Sequence, residues 1–331
     1  MRGQGRRRRA RRRQRRSGRI VTSAVAILAA VAIAAGVLLY NKSADPSAGP
    51  LPVHLPTAAN SYLGVYANGV PDSYSGVTAF AKATGARPDI VMYYSGWYVP
   101  FPAKFATTAA DEGAAPLVQM DPTGVKIAAV ASGQYDGYLS AYAEAVRAYR
   151  HPVILSFGHE MNGSWYKWGY KSTSPAVFVA AWRHVVKLFR ALGANNVTWL
   201  WTVNIINDTP HGRIPRPAAW WPGSSYVNWV GIDGYYLKSS WKFAPLFGPT
   251  ISAVRALTLD PILIAETGAV PAAGQPAKIT DLFGGIRQYG LLGFVWFDST
   301  NSIHQDFAIN SPTAIAAFRT GAAGAYHRPG S

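Results

Sequence analysis

The feature that most constrains the fold is a series of eight short apolar runs, each four to seven residues long. Runs of this length and character are typical of strands that are buried on both faces, as in a parallel sheet. They occupy residues 62–66, 89–94, 115–120, 153–157, 197–202, 229–235, 262–265 and 292–297. Eight such strands in roughly 270 residues predict an α/β chain folded as a (β/α)8 TIM barrel. A doubly wound open sheet is the alternative, but no glycine-rich phosphate-binding loop follows the first run.

Helical patterns fill most of the segments between these runs. The clearest covers residues 174–192, with Ser174 as N-cap, Pro175 at the first helical position and Gly193 just beyond the end. Further helices are predicted at 77–84, 101–110, 136–149, 247–257, 279–289 and 312–320. This alternation of strands and helices supports the barrel.

Polar and aromatic residues follow the predicted strands. The C-terminal ends of the strands form the functional face of a (β/α)8 barrel. The residues predicted at these ends are Tyr66, Asn68, Tyr94, Trp97, Asp121, His159, Glu160, Asn204, Asp233, Tyr235, Tyr236, Glu266, Trp296 and Asp298. A purely structural barrel does not need such groups at one mouth, so we expect a cleft there.

The fourth run ends in the densest group of these residues, within the sequence ILSFGHEMNGSWYKWG at 154–169. His159 and Glu160 follow the run almost at once, and Trp165 comes shortly after. Sugars offer hydroxyls to polar groups and flat C–H faces to aromatic rings, so this combination favours a glycan site. The structural alternative is that Glu160 caps a helix and the tryptophans belong to the core.

A second glutamate, Glu266, ends the seventh run in the sequence PILIAETG at 261–268. Two carboxyl groups at the ends of two separate buried strands are what glycoside hydrolysis requires, since one must protonate the leaving oxygen while the other acts on the opposite face of the sugar. No cofactor or metal site is predicted, because the chain has no cysteine and His159 has no second histidine at helical spacing.

The N-terminus predicts a membrane anchor. Residues 1–19 contain eleven arginines and no acidic residue, and the apolar run 20–40 that follows is long enough to cross a bilayer. This order predicts a single-pass protein with an Arg-rich cytoplasmic tail and the rest outside the cell membrane. Without those arginines the net charge falls from +16 to about +5, so nucleic-acid binding is not expected.

The anchor leads into a linker and one large domain. Residues 41–58 are rich in Pro, Ser and Ala without periodicity, and the folded domain is predicted at 59–331. The apolar run is longer than the core of a usual signal peptide, which favours an uncleaved signal-anchor, and secretion after cleavage is the alternative.

The motifs HEMNGSWYKWG after the fourth strand and AETG at the end of the seventh resemble glycoside hydrolase family 26. GIDGYY at 231–236, WTVN at 201–204 and Trp296 also resemble family positions, and the resemblance covers residues 59–319. It implies a retaining (β/α)8 enzyme of clan GH-A. Most members of this family are β-mannanases. Carried over by position, it implies Glu160 as acid/base and Glu266 as nucleophile, with Tyr235 hydrogen-bonded to the nucleophile.

The same resemblance implies that the remaining site residues contact sugar. His159 and Trp296 would line the subsite of the attacked sugar, and Trp165 would stack on the leaving-group side. Asp121 and Asn204 are further candidates for polar contacts in the cleft. The chain departs from the family pattern at two places. Near the end of the fourth strand, where an arginine is common, it has Ser156. After the third strand it has Gln119, Met120 and Asp121 in place of a tryptophan-bearing segment.

These observations predict a retaining endo-β-glycosidase that acts on β-1,4-mannan or glucomannan. A β-1,3-1,4-glucanase or a β-xylanase of the same family is the alternative within this class, because the sequence does not show whether the cleft takes an axial or an equatorial 2-hydroxyl. A non-catalytic surface glycan-binding barrel is an alternative from another class, and an accessory protein that recruits a cytoplasmic partner through its arginines is a third.

Overall fold

All eight predicted strands form, and they close into a single barrel in which every neighbouring pair is parallel. The structure is a computed structural model that describes residues 55–209 and 212–325. Its barrel strands are β1 (Tyr62–Ala67), β2 (Ile90–Gly96), β3 (Ala115–Asp121), β4 (Val153–Phe157), β5 (Val197–Asn204), β8 (Trp229–Asp233), β9 (Ile262–Thr267) and β10 (Gly293–Asp298). Two short antiparallel strands, β6 (Asp208–Thr209) and β7 (Gly212–Arg213), lie between β5 and β8 in the sequence. The barrel order is β1, β10, β9, β8, β5, β4, β3, β2.

Helices follow most of the barrel strands, as predicted. They are α1 (Ser75–Thr84), α2 (Ala103–Asp111), α3 (Ile127–Ala131), α4 (Asp136–Tyr149), α5 (Pro175–Ala191), α6 (Phe243–Arg255), α7 (Gln275–Gln288) and α8 (Pro312–Ala325). Ser174 caps α5 as expected, because its hydroxyl accepts a hydrogen bond from the Val177 backbone N–H.

Two helices, α6 and α7, begin four residues earlier than predicted, and α7 begins at Gln275 rather than at 279. For α6 the cause lies in α7. α6 begins at Phe243 rather than at 247, and the Phe243 backbone N–H donates to Asp281 of α7 at 2.7 Å. The orphan donor at the start of α6 is therefore satisfied by a carboxylate 38 residues further along the chain. The sequence around residue 243 gives no indication of this distant hydrogen-bond partner.

Alternating side chains divide the core into two layers. Outward-facing residues pack against the helices, while the lower barrel interior is filled by apolar side chains such as Met92, Leu117, Ile154, Leu200 and Leu263. Nearer the C-terminal ends, the buried inward positions become polar. They are Gln119, Ser156, Thr202 and Asp233, and the Ser156 hydroxyl donates to Thr202 Oγ1 at 2.9 Å. The apolar floor holds the barrel together, and the polar upper layer supports the mouth.

The predicted tail (1–19), the membrane segment (20–40) and most of the linker lie outside the described residues. The last part of the linker, from Leu55, runs along the lower end of the barrel, where Tyr62 donates a hydrogen bond to the Pro56 carbonyl at 2.7 Å. Within residues 55–209 and 212–325, no helix is both long enough and apolar enough to cross a membrane.

Close contact between two strands makes Gly293 a sensitive position. A Cβ atom there would lie 1.8 Å from the backbone oxygen of Tyr62 on β1, and the residue has a φ of +152°. We expect Gly293→Ala to lower the free energy of unfolding by about 3 kcal/mol, measured by urea denaturation.

Gly284 provides the matched control, because a Cβ on this α7 residue would have no neighbour within 4 Å. Gly284→Ala should raise the free energy of unfolding by about 0.5–1 kcal/mol through helix propensity. Equal effects of the two substitutions would contradict the strand contact described for Gly293.

Candidate active site

The turn after β4 aims Glu160 into the barrel mouth. Both Gly158 (φ +59°) and Glu160 (φ +54°) adopt left-handed backbone conformations. For a residue other than glycine this conformation costs about 1–2 kcal/mol, so surrounding contacts must maintain it at Glu160. One such contact is the hydrogen bond from the Glu160 backbone N–H to the Thr202 carbonyl on β5, at 2.9 Å.

Each oxygen of the Glu160 carboxyl group accepts one hydrogen bond. Trp165 Nε1 donates to Oε2 at 2.6 Å, and Asn204 Nδ2 donates to Oε1 at 2.5 Å. Asn162 fixes Asn204 in turn, since its amide nitrogen donates to the Asn204 carbonyl at 2.9 Å and its amide oxygen accepts from the Asn204 N–H at 2.8 Å. The acid after β4 is therefore held by residues of its own loop and of β5.

A β-bulge aims the second carboxyl group. Between Leu263 and Glu266, β9 contains one residue more than the facing part of β8, so that Asp233 pairs with Glu266. Regular alternation from the inward-facing Leu263 would have pointed residue 266 away from the interior, and the extra residue turns it inward. There the hydroxyls of Tyr94 on β2 and Tyr235 after β8 donate to Oε2 and Oε1 of Glu266, respectively.

His159 is the cation of the site. Its Nδ1 lies 2.9 Å from Asp121 Oδ1 and its Nε2 lies 3.0 Å from the Tyr166 hydroxyl, while Trp168 donates to its carbonyl at 2.7 Å. Burial by itself lowers the pKa of His159, but the charge of Asp121 and the hydrogen bond to it outweigh that effect, and the pKa is raised to about 9. The imidazolium can therefore donate from both nitrogens at neutral pH.

The environments of the two glutamates differ. Burial is the main cause that raises the pKa of Glu160 to about 7; Glu266 also raises it, whereas His159 and the two hydrogen-bond donors lower it. Burial raises the pKa of Glu266 as well, and His159 and the hydroxyls of Tyr235 and Tyr94 oppose that shift. Glu160 can thus hold a proton near neutral pH, while Glu266 has two hydroxyl donors that favour its anion.

A third carboxyl group, Asp233, lies in the same mouth. It is fully buried, and neither of its oxygens has a hydrogen-bond partner among the described residues. Burial first, and then the charges of Glu266 and Glu160, raise the pKa of Asp233 well above its usual range.

The structure brings together seven of the eight predicted site residues: Asp121, His159, Glu160, Trp165, Asn204, Tyr235 and Glu266. The side chain of Trp165 remains 47% exposed, so its ring is open to the mouth.

The predicted sugar contact of Trp296 is wrong. This residue is 0% exposed, its Nε1 donates to the Phe307 carbonyl at 3.0 Å, and its ring lies 6.1 Å from that of Phe318 in α8. It occupies an outward position of β10, and the inward neighbour Phe297 instead stacks on Tyr66 at 4.6 Å.

Four residues outside the predicted set of site residues complete the site, namely Tyr94, Asn162, Tyr166 and Asp233. The sequence places Tyr94 and Asp233 at the mouth but gives them no specific role. Tyr94 and Glu266 are 172 residues apart in the sequence, so only the closed barrel shows that they meet. Among the described residues, no cluster of three or more His, Asp or Glu side chains has the arrangement of a metal site.

The amino-acid sequence of the chain matches that of a known family. The sequence profile of glycosyl hydrolase family 26 matches residues 103–289, which include both glutamates. Endoglucanase H of Acetivibrio thermocellus is 31% identical over 268 residues, covering 76% of this chain and 29% of that protein. The mannan endo-1,4-beta-mannosidase A and B of Caldalkalibacillus mannanilyticus is 28% identical over 85 residues, covering 24% of this chain and 15% of that protein. The chain therefore spans less than a third of the length of either relative.

Solved structures share the fold at low sequence identity. A family 26 β-mannanase from Bacteroides ovatus superposes with a TM-score of 0.60 at 18% identity, over 80% of this chain and 88% of that one. A modular endo-β-1,4-mannanase from Cellulomonas fimi superposes with a TM-score of 0.58 at 17% identity, over 73% of this chain and 65% of that one. At this identity the likeness establishes the barrel fold alone.

The hydrogen bond from Trp165 should influence the titration of Glu160. The indole N–H favours the ionised carboxylate, so Trp165→Phe should raise the pKa of Glu160 above about 7. The measurement is a ¹³C NMR titration of the glutamate carboxyl groups, with Glu160→Gln to assign the resonance.

Trp168→Phe is the control for that titration. It removes an indole donor from the same loop whose acceptor is the His159 backbone carbonyl, so the pKa of Glu160 should stay the same. A Glu160 pKa that does not change in Trp165→Phe would contradict the described hydrogen bond.

Proposed function

The chain belongs to glycosyl hydrolase family 26, and from this premise we propose that it cleaves a β-linked polysaccharide with retention of configuration. The observation that carries the proposal is the pair of buried carboxyl groups after β4 and in β9, one with a pKa near neutral and the other accepting two hydroxyl hydrogen bonds that favour its anion. Such a pair supplies the acid and the nucleophile of double displacement.

In the first step, a carboxylate oxygen of Glu266 attacks the anomeric carbon of the sugar. The bond from that carbon to the glycosidic oxygen breaks, and the proton of Glu160 passes to this oxygen, so the leaving sugar departs as an alcohol. The products are a glycosyl ester on Glu266 and an ionised Glu160. The imidazolium of His159 stabilises the negative charge that has moved to Glu160.

In the second step, water attacks the same carbon from the face that the leaving group vacated. Glu160 takes a proton from the water as the ester bond to Glu266 breaks, which regenerates both carboxyl groups in their starting forms. Two inversions at one carbon retain its configuration. Tyr94 and Tyr235 hold the Glu266 carboxyl group in position through both steps.

Trp165 has two roles in this proposal. Its N–H orients the acid, and its exposed ring offers a stacking surface for the sugar on the leaving-group side. His159 and Asn204 line the same mouth beside the acid.

We propose β-1,4-mannan or glucomannan as the substrate, with mixed-linkage β-glucan or β-xylan as the alternative. One relative is named an endo-1,4-beta-mannosidase and the one that covers more of this chain is named an endoglucanase, so the names support both possibilities. The chain departs from the family pattern at Ser156 and at Gln119, Met120 and Asp121, and two of these, Gln119 and Ser156, point inward beneath the mouth. Assays on both kinds of polymer decide between axial and equatorial 2-hydroxyls.

We also propose that the barrel acts outside the cell membrane, attached through residues 20–40. The support is the order of eleven arginines, an apolar run and a linker in the sequence. In cells that make the full chain, the protein should be recovered in the membrane fraction. Protease added outside the intact cells should digest the barrel. Recovery of the full chain in the soluble cell fraction would contradict this proposal.

The purified full chain should release reducing sugar from glucomannan and galactomannan. Glu266→Ala should reduce the rate by about 10³-fold or more, because it removes the proposed nucleophile. Glu112→Ala is the matched control, since this exposed glutamate pairs with Arg87 at 3.0 Å on the surface and should leave the rate unchanged.

The panel also includes lichenan and β-1,3-xylan. Release from one of these alone would preserve the mechanism and replace the substrate. A folded wild-type protein that binds glycan without releasing sugar from any of the four would contradict the proposed hydrolysis and favour a glycan-binding barrel.

A further inference from the structure

An exposed aromatic cluster lies on the rim of the barrel, outside the group of residues around the two glutamates. It consists of Tyr98 in the loop after β2, together with Tyr135 and Tyr138 at the start of α4, and we call it the tyrosine rim. Tyr98 is 62% exposed, and Val99 next to it is 45% exposed. Large apolar side chains this exposed at the functional face of a barrel call for a physical reason.

The backbone at Tyr98 is strained. Residues 96–99 form a tight turn in which the Val99 N–H donates to the Gly96 carbonyl at 3.2 Å. Tyr98 has a φ of +67° at the third position of this turn, a conformation that normally selects glycine or asparagine. A tyrosine here is disfavoured by its backbone and gains little from burial, so folding alone does not account for it.

The ring of Tyr98 is nevertheless held in a fixed place. It makes T-shaped contacts with Tyr138 at 5.4 Å and with Tyr135 at 6.2 Å between centroids. The Tyr138 hydroxyl donates to the Val99 carbonyl at 3.1 Å, which ties the turn to α4. Trp97, which is buried, packs between the turn and Phe157 at the end of β4. The exposed ring is thus a positioned group on a rigid support.

The tyrosine rim is continuous with the mouth that holds the glutamates. Tyr94, which donates to Glu266, precedes Tyr98 by four residues, and because the chain turns at 96–99 their Cα atoms lie less than about 13 Å apart, the length of four extended residues. Gly96, at the start of the turn, pairs with Asp121 on β3, and Asp121 contacts His159. A chain of sugars lying across the mouth would reach Tyr98 a few units away from the bond between the glutamates.

We propose that Tyr98 is a stacking platform for a distal sugar unit of the polysaccharide, with Tyr135 and Tyr138 as its support. This proposal rests on the proposed function and adds a binding subsite remote from the cleaved bond. The C–H face of a pyranose covers an aromatic ring, and the Tyr98 hydroxyl can exchange hydrogen bonds with sugar hydroxyls. The exposed area is far below what a stable protein partner requires, and its continuity with the mouth favours the glycan.

The test measures binding without cleavage. It uses the Glu266→Ala variant, which should not cleave the polymer, as the parent to which the Tyr98 substitutions are added. Binding of glucomannan and lichenan is measured by affinity electrophoresis, with Tyr98→Gly and Tyr98→Phe added to the parent. Tyr98→Gly removes the ring and relieves the strain, and should weaken binding of the polymer that the parent binds by about tenfold. Tyr98→Phe keeps the ring and should bind within about twofold of the parent.

Two further measurements, both made with the Glu266-intact chain, complete the test. Tyr98→Gly should leave kcat/KM for a short aryl glycoside unchanged and should not lower Tm, because the platform lies away from the reacting atoms. Unchanged polymer binding, or an equal loss of kcat/KM on the short substrate, would overturn the proposal. A parent that binds neither polymer, together with a wild type that cleaves none, would instead overturn the proposed function on which it rests.

Discussion

The burial of three carboxyl groups in one barrel mouth is the constraint on which the site depends. Glu266 raises the pKa of Glu160, and both glutamates raise the pKa of Asp233, so three negative charges in such a place would be strongly unfavourable. The mouth offsets this charge because burial raises the pKa of Asp233 well above its usual range, Glu160 titrates near pH 7, and His159 adds a cation. Glu266 accepts hydrogen bonds from two hydroxyls, which favour its ionised form. The proposed roles of acid and nucleophile rely on this difference between the surroundings of the two glutamates.

Local geometry at two strand ends makes that distribution possible. Glu160 is in a left-handed conformation that its own sequence does not favour, and Glu266 faces the interior only because β9 contains an extra residue. Both are irregularities in an otherwise regular barrel, and the well-packed apolar floor beneath them provides the stability to maintain them. Tyr98 shares the left-handed backbone of Glu160, but its side chain is exposed on the rim, whereas that of Glu160 is buried in the mouth.

The sequence was sufficient to predict the barrel and the position of the two glutamates at its mouth, for a physical reason. Buried parallel strands appear as continuous apolar runs, and a polar residue directly after such a run must lie at the mouth. The sequence does not show which residues of a strand face the helices and which face the barrel interior. Trp296 and Phe297 are adjacent aromatic residues at the end of β10, and only the structure shows that the first faces α8 and the second faces the mouth. The bulge in β9, the hydrogen bond from Tyr94 to Glu266 and the unpartnered Asp233 all depend on pairing between strands, which no local pattern contains.

The measurement that tests the account most directly is the capture of the glycosyl ester. A 2-deoxy-2-fluoro β-glycoside with an activated leaving group, built on the sugar of whichever polymer is cleaved, slows the second step more than the first and lets the ester accumulate. Mass spectrometry of the digested protein should then show one added fluorosugar on the peptide that contains Glu266, and none in the Glu266→Ala variant. An adduct on another residue, or turnover of the glycoside with inverted configuration, would contradict the assignment of Glu266 as the nucleophile.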